Sequence, residues 1–458
     1  MFRRSAFSKR IAFDLLLSIV IYGLFIDLYF PIIGRGFFHD DWTFLARAAD
    51  FLPESNVHAR PVSFDWYWQA MENLFGMNPV AYAWSRLFVF SLTGISLAAV
   101  VYQLKKDRLQ AMFCLTIVLL TPLAFEPLFW ASSIVDLLAL LGLAIALFGL
   151  VRRGQGGWAF YLIGGILCIG SKEVGWWLPA CGFLVWHKFR EHRFLIPSIT
   201  LTIVVIVGLW TTFKGLGGDY SWSIDAVPWG LVRSGSWLIP RTDDLLFVWN
   251  AGRQTIIASI IVWSIWVSWI VFRWRQRDRL PLAIFLMGFL SMVPSIGLHG
   301  HFVPRYILPL QACVAVTMGL AFSSAIPYRR YVLLVGVVVM FYGSQRCVHN
   351  LLEKSYPSGR KVHRMVAKEM LAEDVWRALE KCGVTRSTGV VFLCRPEDDV
   401  PAREELLNVI GRSWGPRIAL ELDGPVIITD ELSEVPLGVP TFGFVGGVLE
   451  YLGVLQMD

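Results

Sequence analysis

The sequence predicts an all-α polytopic membrane protein of about eleven spans, two of them short, with a small α/β domain at its C-terminal end. Three observations predict it. Of 458 residues, 55% are hydrophobic and only 17% charged, against about a quarter charged in a soluble globular chain. Long apolar runs alternate with short basic clusters as far as residue 345. Beyond that point charge returns to ordinary density and short β-rich runs appear.

The chain opens on Arg3, Arg4, Lys9 and Arg10, followed by an apolar run over 11–33. That run exceeds a signal-peptide core and no small-residue cleavage site follows it, so it is expected to be a retained first span. A membrane span needs about 20 mostly apolar residues. On that basis spans are placed at 11–33, 80–104, 109–125, 134–151, 158–170, 174–187, 194–213, 255–272, 280–298, 306–326 and 331–345. The pair at 158–187 is short enough to be two crossings or a re-entrant hairpin. The division is thus a membrane module over 1–345, with a first outer loop at 34–79, and a soluble domain over 346–458. The loop carries Phe64-Asp65-Trp66-Tyr67-Trp68, a composition suited to helices lying on the membrane surface. In the tail a helix is expected at 361–381, with strands at 389–394, 417–421, 426–429 and 442–445.

Orientation follows from the basic residues. Lys105, Lys106 and Arg108; Arg152 and Arg153; Lys188, Arg190 and Arg193; Arg273, Arg275, Arg277 and Arg279; and Arg329 with Arg330 fall in alternate loops. With the N-terminus cytoplasmic, every cluster is cytoplasmic, as the positive-inside rule requires. Both readings of 158–187 return the chain to the same side. The net charge of +6 therefore orients the protein and implies no nucleic-acid partner. The first loop, Ser171-Lys172-Glu173, the turn at 299–305 and the tail then face outward, from a plasma membrane of the bacterial inner-membrane type. The seven cysteines show no metal-ligand spacing. Cys114, Cys168, Cys181 and Cys313 lie in apolar runs as small core residues. Cys382 and Cys394 could pair if the tail meets an oxidising compartment.

Five polar groups on the expected outer face call for a reason, because charge at membrane depth is costly. His39-Asp40-Asp41 follows the first span; its carboxylates suit a general base, a divalent-metal site or a helix cap. Arg60-Pro61 lies in the same loop, where Arg60 can bind an anion or pair with Asp40 or Asp41. Glu126, Trp130 and Asp136 form the third group, for which a structural partner such as Arg60 would suffice. In Ser171-Lys172-Glu173 the two charges can neutralise each other or set a cation beside a phosphate. His299 and His301 stand next to Arg305-Tyr306; two histidines suggest a metal only with a third ligand, and Arg305 either binds an anion or snorkels. Taken jointly, cations and carboxylates from distant segments converge on one face. That suits a lipid phosphate held by Lys and Arg beside a carboxylate base.

With these motifs in hand, the chain resembles the GT-C glycosyltransferases, multi-span enzymes that use polyprenyl-phosphate sugars. It looks closest to the bacterial relatives of the transmembrane O-mannosyltransferases with tetratricopeptide repeats. Asp40-Asp41 match the paired acid after the first span, and Arg60-Pro61 an Arg-Pro in the first loop. Glu126, Trp130 and Asp136 match a Glu–Trp–Asp pattern, Ser171-Lys172-Glu173 a Ser-Lys-Glu motif, and Arg305-Tyr306 with Pro309 an Arg-Tyr-x-x-Pro motif. The order is kept over 11–310. Where the family often has an arginine two residues before the aspartate, this chain has Ile134, and the repeats are absent. The resemblance implies a catalytic role for Asp40, Asp41 and Glu126, with Lys172, Arg305 and Arg60 at the donor phosphate and Glu173, Asp136 and Tyr306 in support. A divalent metal is left open, with His299, His301 and Asp41 as its candidate ligands.

The expected function is inverting transfer of a sugar from a polyprenyl-phosphate carrier to an acceptor hydroxyl on a glycan, lipid or protein, at the extracytoplasmic face and among membrane lipids. Two alternatives account for the same cations: a transporter or flippase of a lipid-linked sugar, and a polysaccharide polymerase or ligase. Transporters commonly place charge at the bilayer midplane within internal repeats; here the charges gather at one surface and no repeat is evident. Orientation is tested first. Single cysteines at Ser221 and Ser358 should react with an impermeant thiol reagent on intact cells and one at Gln276 should not; labelling at Gln276 would invert the topology.

Overall fold

In the computed structural model the described residues are 2–38, 40–48, 60–152, 156–215, 223–238, 253–298, 303–322, 326–353 and 364–382, with the strands and a few other residues of the tail. The helices are α1 (Phe2–Tyr29), α2 (Asp40–Ala48), α3 (Tyr67–Phe75), α4 (Pro79–Lys105), α5 (Arg108–Leu119), α6 (Phe125–Phe129), α7 (Ile134–Arg152), α8 (Gly157–Ser171), α9 (Leu178–Phe189), α10 (Leu195–Gly215), α11 (Val227–Trp237), α12 (Arg253–Arg275), α13 (Leu280–Ile296), α14 (Leu308–Ala321), α15 (Arg329–Glu353) and α16 (Arg364–Lys381). Each of the expected apolar segments falls on one of them. The last runs on to Glu353 rather than stopping at 345.

Among the described residues, Phe13–Ile32, Pro79–Lys105, Ala131–Arg152, His192–Leu209 and Arg329–Leu352 are each long and apolar enough to cross a membrane. Arg108–Leu119 with Pro122–Phe129, bent by 45°, makes a sixth if taken as one span. The remaining apolar helices are shorter or less apolar. The surface is that of a membrane protein. On α10, Ile196, Ile199, Ile203 and Ile206 are all exposed, as are Ile257, Ile260, Ile261 and Ile265 on α12 and Val335, Val338 and Val339 on α15. Contiguous apolar surface of this kind on several helices needs lipid to cover it.

The core sits on α7. Its span is 83% buried, against 22% for that of α10, so α7 is the axial helix and α10 a peripheral one. A helix apolar on all sides is one surrounded on all sides. Helix α8 lies against it at backbone contact: a Cβ on Gly142 would stand 2.4 Å from the Cys168 nitrogen, and one on Gly164 2.4 Å from the Ala146 nitrogen. Lower down, Gly149 meets Tyr161 and Gly157 in the same way. Small residues let membrane helices approach this closely. The pairs 142 with 164 and 149 with 157 fix an antiparallel register that sets the end of α8 beside the first turn of α7. Helix α9 then folds back along α8. Gly175 faces Cys168, Gly182 faces Tyr161, and the Tyr161 hydroxyl donates to the Leu178 carbonyl at 2.9 Å. The short pair is therefore a hairpin with Lys172-Glu173 at its apex; α8, at 15 residues, is about 22 Å long.

The opposite end of the bundle is tied by ion pairs between basic loops and acids. Asp107 bonds Arg329, and Asp14 of α1 lies 3.9 Å from both Arg108 and Arg330. In the tail, β1 (Val390–Cys394), β2 (Val426–Thr429), β3 (Pro440–Val445) and β4 (Val448–Val454) form a sheet of order β2-β1-β3-β4. Strand β1 is parallel to both β2 and β3, while β3 and β4 form an antiparallel pair. Strands β1 to β3 fall on expected runs; β4 was not anticipated, and 417–421 lies outside the described residues. Cys382 and Cys394 are free thiols. The strand Val390–Cys394 is buried throughout, as a central parallel strand must be. Helix α16 joins the two regions: Trp376 packs edge-on against Trp42 of α2 at 5.1 Å, and the Arg35 guanidinium donates to buried Glu369 at 3.1 Å.

The helix register can be tested directly. Gly142→Leu or Gly164→Leu should destabilise the detergent-solubilised protein by about 1–3 kcal/mol or more, the usual cost of overpacking. Gly23→Leu, where nothing lies within 4 Å of a Cβ, should leave the thermal transition in place. Equal transitions in all three would mean that α7 and α8 do not touch at backbone distance.

Candidate active site

The α7–α8 register brings the polar groups together. Lys172, extended at φ −162°, leaves the end of α8 and meets Asp136 in the first turn of α7. Arg305 lies in a 3₁₀ turn, Pro304–Ile307, that leads into α14. Its guanidinium bonds Glu126 on α6 and stands 3.5 Å from Asp136. Tyr306 is wedged between the cations, its ring 4.3 Å from the Lys172 ammonium and 5.3 Å from the Arg305 guanidinium. Trp130 faces Arg305 from the other side at 5.0 Å.

Arg60 arrives from the first loop. The π-helical turn Val62–Trp66 sits on the end of α8, where Gly170 leaves room for Val62 and the Ser63 hydroxyl donates to the Ser171 carbonyl at 3.1 Å. This seats Arg60 over Glu173, which accepts at 2.6 Å. The partner expected for Arg60 was Asp40, Asp41 or Asp136; the hairpin apex supplies Glu173 instead. Three cations and three carboxylates from five chain segments thus share one end of the bundle, with Glu126, Asp136 and Lys172 all buried.

Burial alone would lower the pKa of Arg305, yet the charges of Glu126, Tyr306 and Asp136 raise it above the ordinary arginine value. For Arg60 burial likewise acts downward and Glu173 reverses it. Burial acts upward on Glu173, and Arg60 with Lys172 outweigh it and hold the carboxyl below the usual range. All three groups are charged at neutral pH.

The paired aspartates separate by role. Both open α2, where successive side chains point about 100° apart. Asp40 is half-buried. Asp41 is wholly buried, and both its oxygens are engaged: Oδ2 by the Phe38 amide at 3.2 Å, Oδ1 by the Ser132 amide at 2.7 Å and by the Ser132 hydroxyl. Burial pushes Asp41 up to about 7, against the hydrogen bonds and the Arg86 charge that favour the carboxylate. Asp41 thus fastens α2 to the turn between α6 and α7, which carries Trp130. Among the described residues no three of His, Cys, Asp and Glu gather as a metal site; His39, His299 and His301 lie outside the described residues.

Two contributors escaped the sequence. Arg86, buried within α4, donates to the Leu128 and Phe129 carbonyls at 2.9 and 3.4 Å and so closes the C-terminal end of α6. Its position inside an apolar span was the available signal, since such a charge must have a purpose. Ser132 gave no signal; only its position opposite Asp41 matters.

No protein-family model and no curated protein matches the sequence. Among solved structures the chain is similar to ArnT from Cupriavidus metallidurans bound to undecaprenyl phosphate. The identity is 12%, over 80% of this chain and 73% of that one, at a TM-score of 0.49. At that distance the likeness carries no functional argument.

The state of Asp41 has a measurable consequence. Its carboxyl titrates near 7 folded and near 3.8 unfolded, so the folded state binds the proton more tightly and stability falls as pH rises between those values. The wild-type Tm, taken relative to Asp41→Asn, should decline from about pH 4 to pH 7 and level off above. A parallel pH dependence in the two proteins would show that Asp41 is not held in this way.

Proposed function

We propose that the protein is a membrane glycosyltransferase of the GT-C type, which takes a sugar from a polyprenyl-phosphate carrier at the extracytoplasmic face and passes it, with inversion, to an acceptor hydroxyl. One observation supports this most: Arg60, Lys172 and Arg305 gather at the end of the bundle where α2, which opens on Asp40 and Asp41, packs against the Val62–Trp66 turn and the turn at 131–133. A guanidinium has five N–H donors, so Arg305 can keep Glu126 and Asp136 and still offer hydrogen bonds to a phosphate. In a site of low effective dielectric, fixed cations of this kind stabilise the charge that develops on a departing phosphate. The carboxylates hold those cations in position while no anion is bound.

In this reading Asp40 is the base. It accepts the proton of the acceptor hydroxyl as that oxygen forms its bond to the anomeric carbon; the bond from that carbon to the carrier phosphate breaks, and the pair of electrons leaves with the phosphate. Asp41, fastened to Ser132, positions the helix that carries it. Glu126 belongs with Arg305, acting on catalysis through the cation. The polyprenyl-phosphate donor, the hydroxyl acceptor and the N-in orientation are parts of the same proposal, supported by the basic loops and by the motif resemblance.

The reading predicts two separable losses. Asp40→Asn should bind a polyprenyl-phosphate sugar normally and transfer it at least about a hundred-fold more slowly, the lower range of general-base assistance. Arg305→Lys keeps the charge opposite Glu126 but removes the planar fork. It should weaken donor binding by about one to two decades, the worth of a charged hydrogen bond. Donor turnover is read as released polyprenyl phosphate. Undiminished transfer in both Asp40→Asn and Asp41→Asn would rule out the mechanism, and donor binding without any release in the wild type would bring the transporter forward.

A further inference from the structure

A large cavity lies far from the ion-pair cluster, at the opposite end of the bundle. Its volume is about 1040 Å³, at the upper end of the usual range for a ligand site, about 300–1,000 Å³. The last turns of α4 and α7 form one wall with Leu104, Leu150 and Val151; α9 gives Leu184, and the first turns of α13 give Ala283 and Met287. These are apolar to a depth of about two helical turns. The mouth is different: Lys188, Arg277 and Arg279 stand there, next to Trp274.

Lys188, Arg277 and Arg279 put three basic groups at the rim of an apolar groove, and the acid between the two arginines is already occupied. Asp278, between the two arginines, bonds Arg273 and caps α13 through the Leu280 amide at 3.2 Å. Among the described residues no acidic side chain lines the groove. Arg277 sits in the left-handed region at φ 62°, at the turn that closes α12 and opens α13, and Arg279 lies against the Trp274 ring at 5.3 Å. A tryptophan beside basic residues is the composition of a membrane–water interface.

We propose that this groove is a selective site for an anionic phospholipid of the leaflet at that end, with its phosphate at Lys188, Arg277 and Arg279 and an acyl chain laid between α4, α7, α9 and α13. Charge complementarity decides the occupant. An apolar groove alone would take any lipid, whereas three basic side chains at headgroup level favour a net negative headgroup over a zwitterionic one. The phosphates of phospholipids are the anions that every part of that leaflet presents. The site is separate from the donor cluster by about the length of α7, 19 residues or about 28 Å. Its occupancy would hold the α12–α13 turn against the ends of α4 and α7.

The test is native mass spectrometry of the full-length protein, delipidated and then titrated with phosphatidylglycerol, phosphatidylcholine or a polyprenyl phosphate. At roughly five-fold per basic side chain, the wild type should prefer phosphatidylglycerol over phosphatidylcholine by about a hundred-fold. The triple variant Lys188→Gln, Arg277→Gln, Arg279→Gln should lose that preference while keeping polyprenyl-phosphate binding at the far cluster. Ala283→Trp, which fills the groove without touching a charge, should lose the bound lipid while keeping the thermal transition of the delipidated wild type. Equal affinity of the wild type for the two phospholipids, an unchanged preference in the triple variant, or displacement of the phospholipid by polyprenyl phosphate would overturn the proposal.

Discussion

The buried contact of Lys172 with Asp136 is the constraint on which the rest of the arrangement depends. A lysine at this depth without a partner would be costly. The partner is available only because α7 and α8 pack at backbone distance in one register. That register comes from four glycines, not from the charges. Shifting α8 by one turn would carry Lys172 about 5.4 Å along α7 and leave the lysine buried without Asp136. Apolar packing and charge pairing therefore select the same alignment, and each penalises the alternatives of the other.

From that pair the cluster extends by sharing. Asp136 also faces Arg305, Arg305 bonds Glu126, and Lys172 with Arg60 holds Glu173. The six groups balance in charge, three cations against three carboxylates. The cost of the arrangement is that removing Lys172 or Arg305 deprives a buried carboxylate of a partner. This is why a charge-preserving replacement is more informative at Arg305 than alanine, which confounds binding with folding. The aromatic rings of Tyr306 and Trp130 cover part of Lys172 and Arg305, and reduced contact with water strengthens their interactions.

Asp40 and Asp41 show how one helix turn divides two chemically identical groups. The first residue of α2 remains half-buried and the second turns wholly inward onto Ser132. The same helix receives Trp376 from α16, so the tail rests on the element that presents the acids. Arg35 and Glu369 make a second link between the loop and the tail. Nothing in the composition of the tail marks it as a partner of the first loop.

Much was legible in the sequence because burial in lipid leaves few choices. Spans of apolar residues must be helical, since no water is present to satisfy their backbone groups; hence the agreement helix for helix. The unusual polar groups inside or beside those spans were equally visible, and Glu126, Asp136, Lys172, Glu173 and Arg305 do converge. What the sequence could not assign were the partners. Arg60 was expected against the aspartates of its own loop and stands on Glu173. Arg86 passed unnoticed within α4, and the antiparallel strand β4 went unseen in the tail. Pairing depends on the relative rotation and depth of helices distant in the chain. Those are set by where Gly142, Gly149, Gly157 and Gly164 let two backbones touch, a property of the packed bundle that no single segment carries.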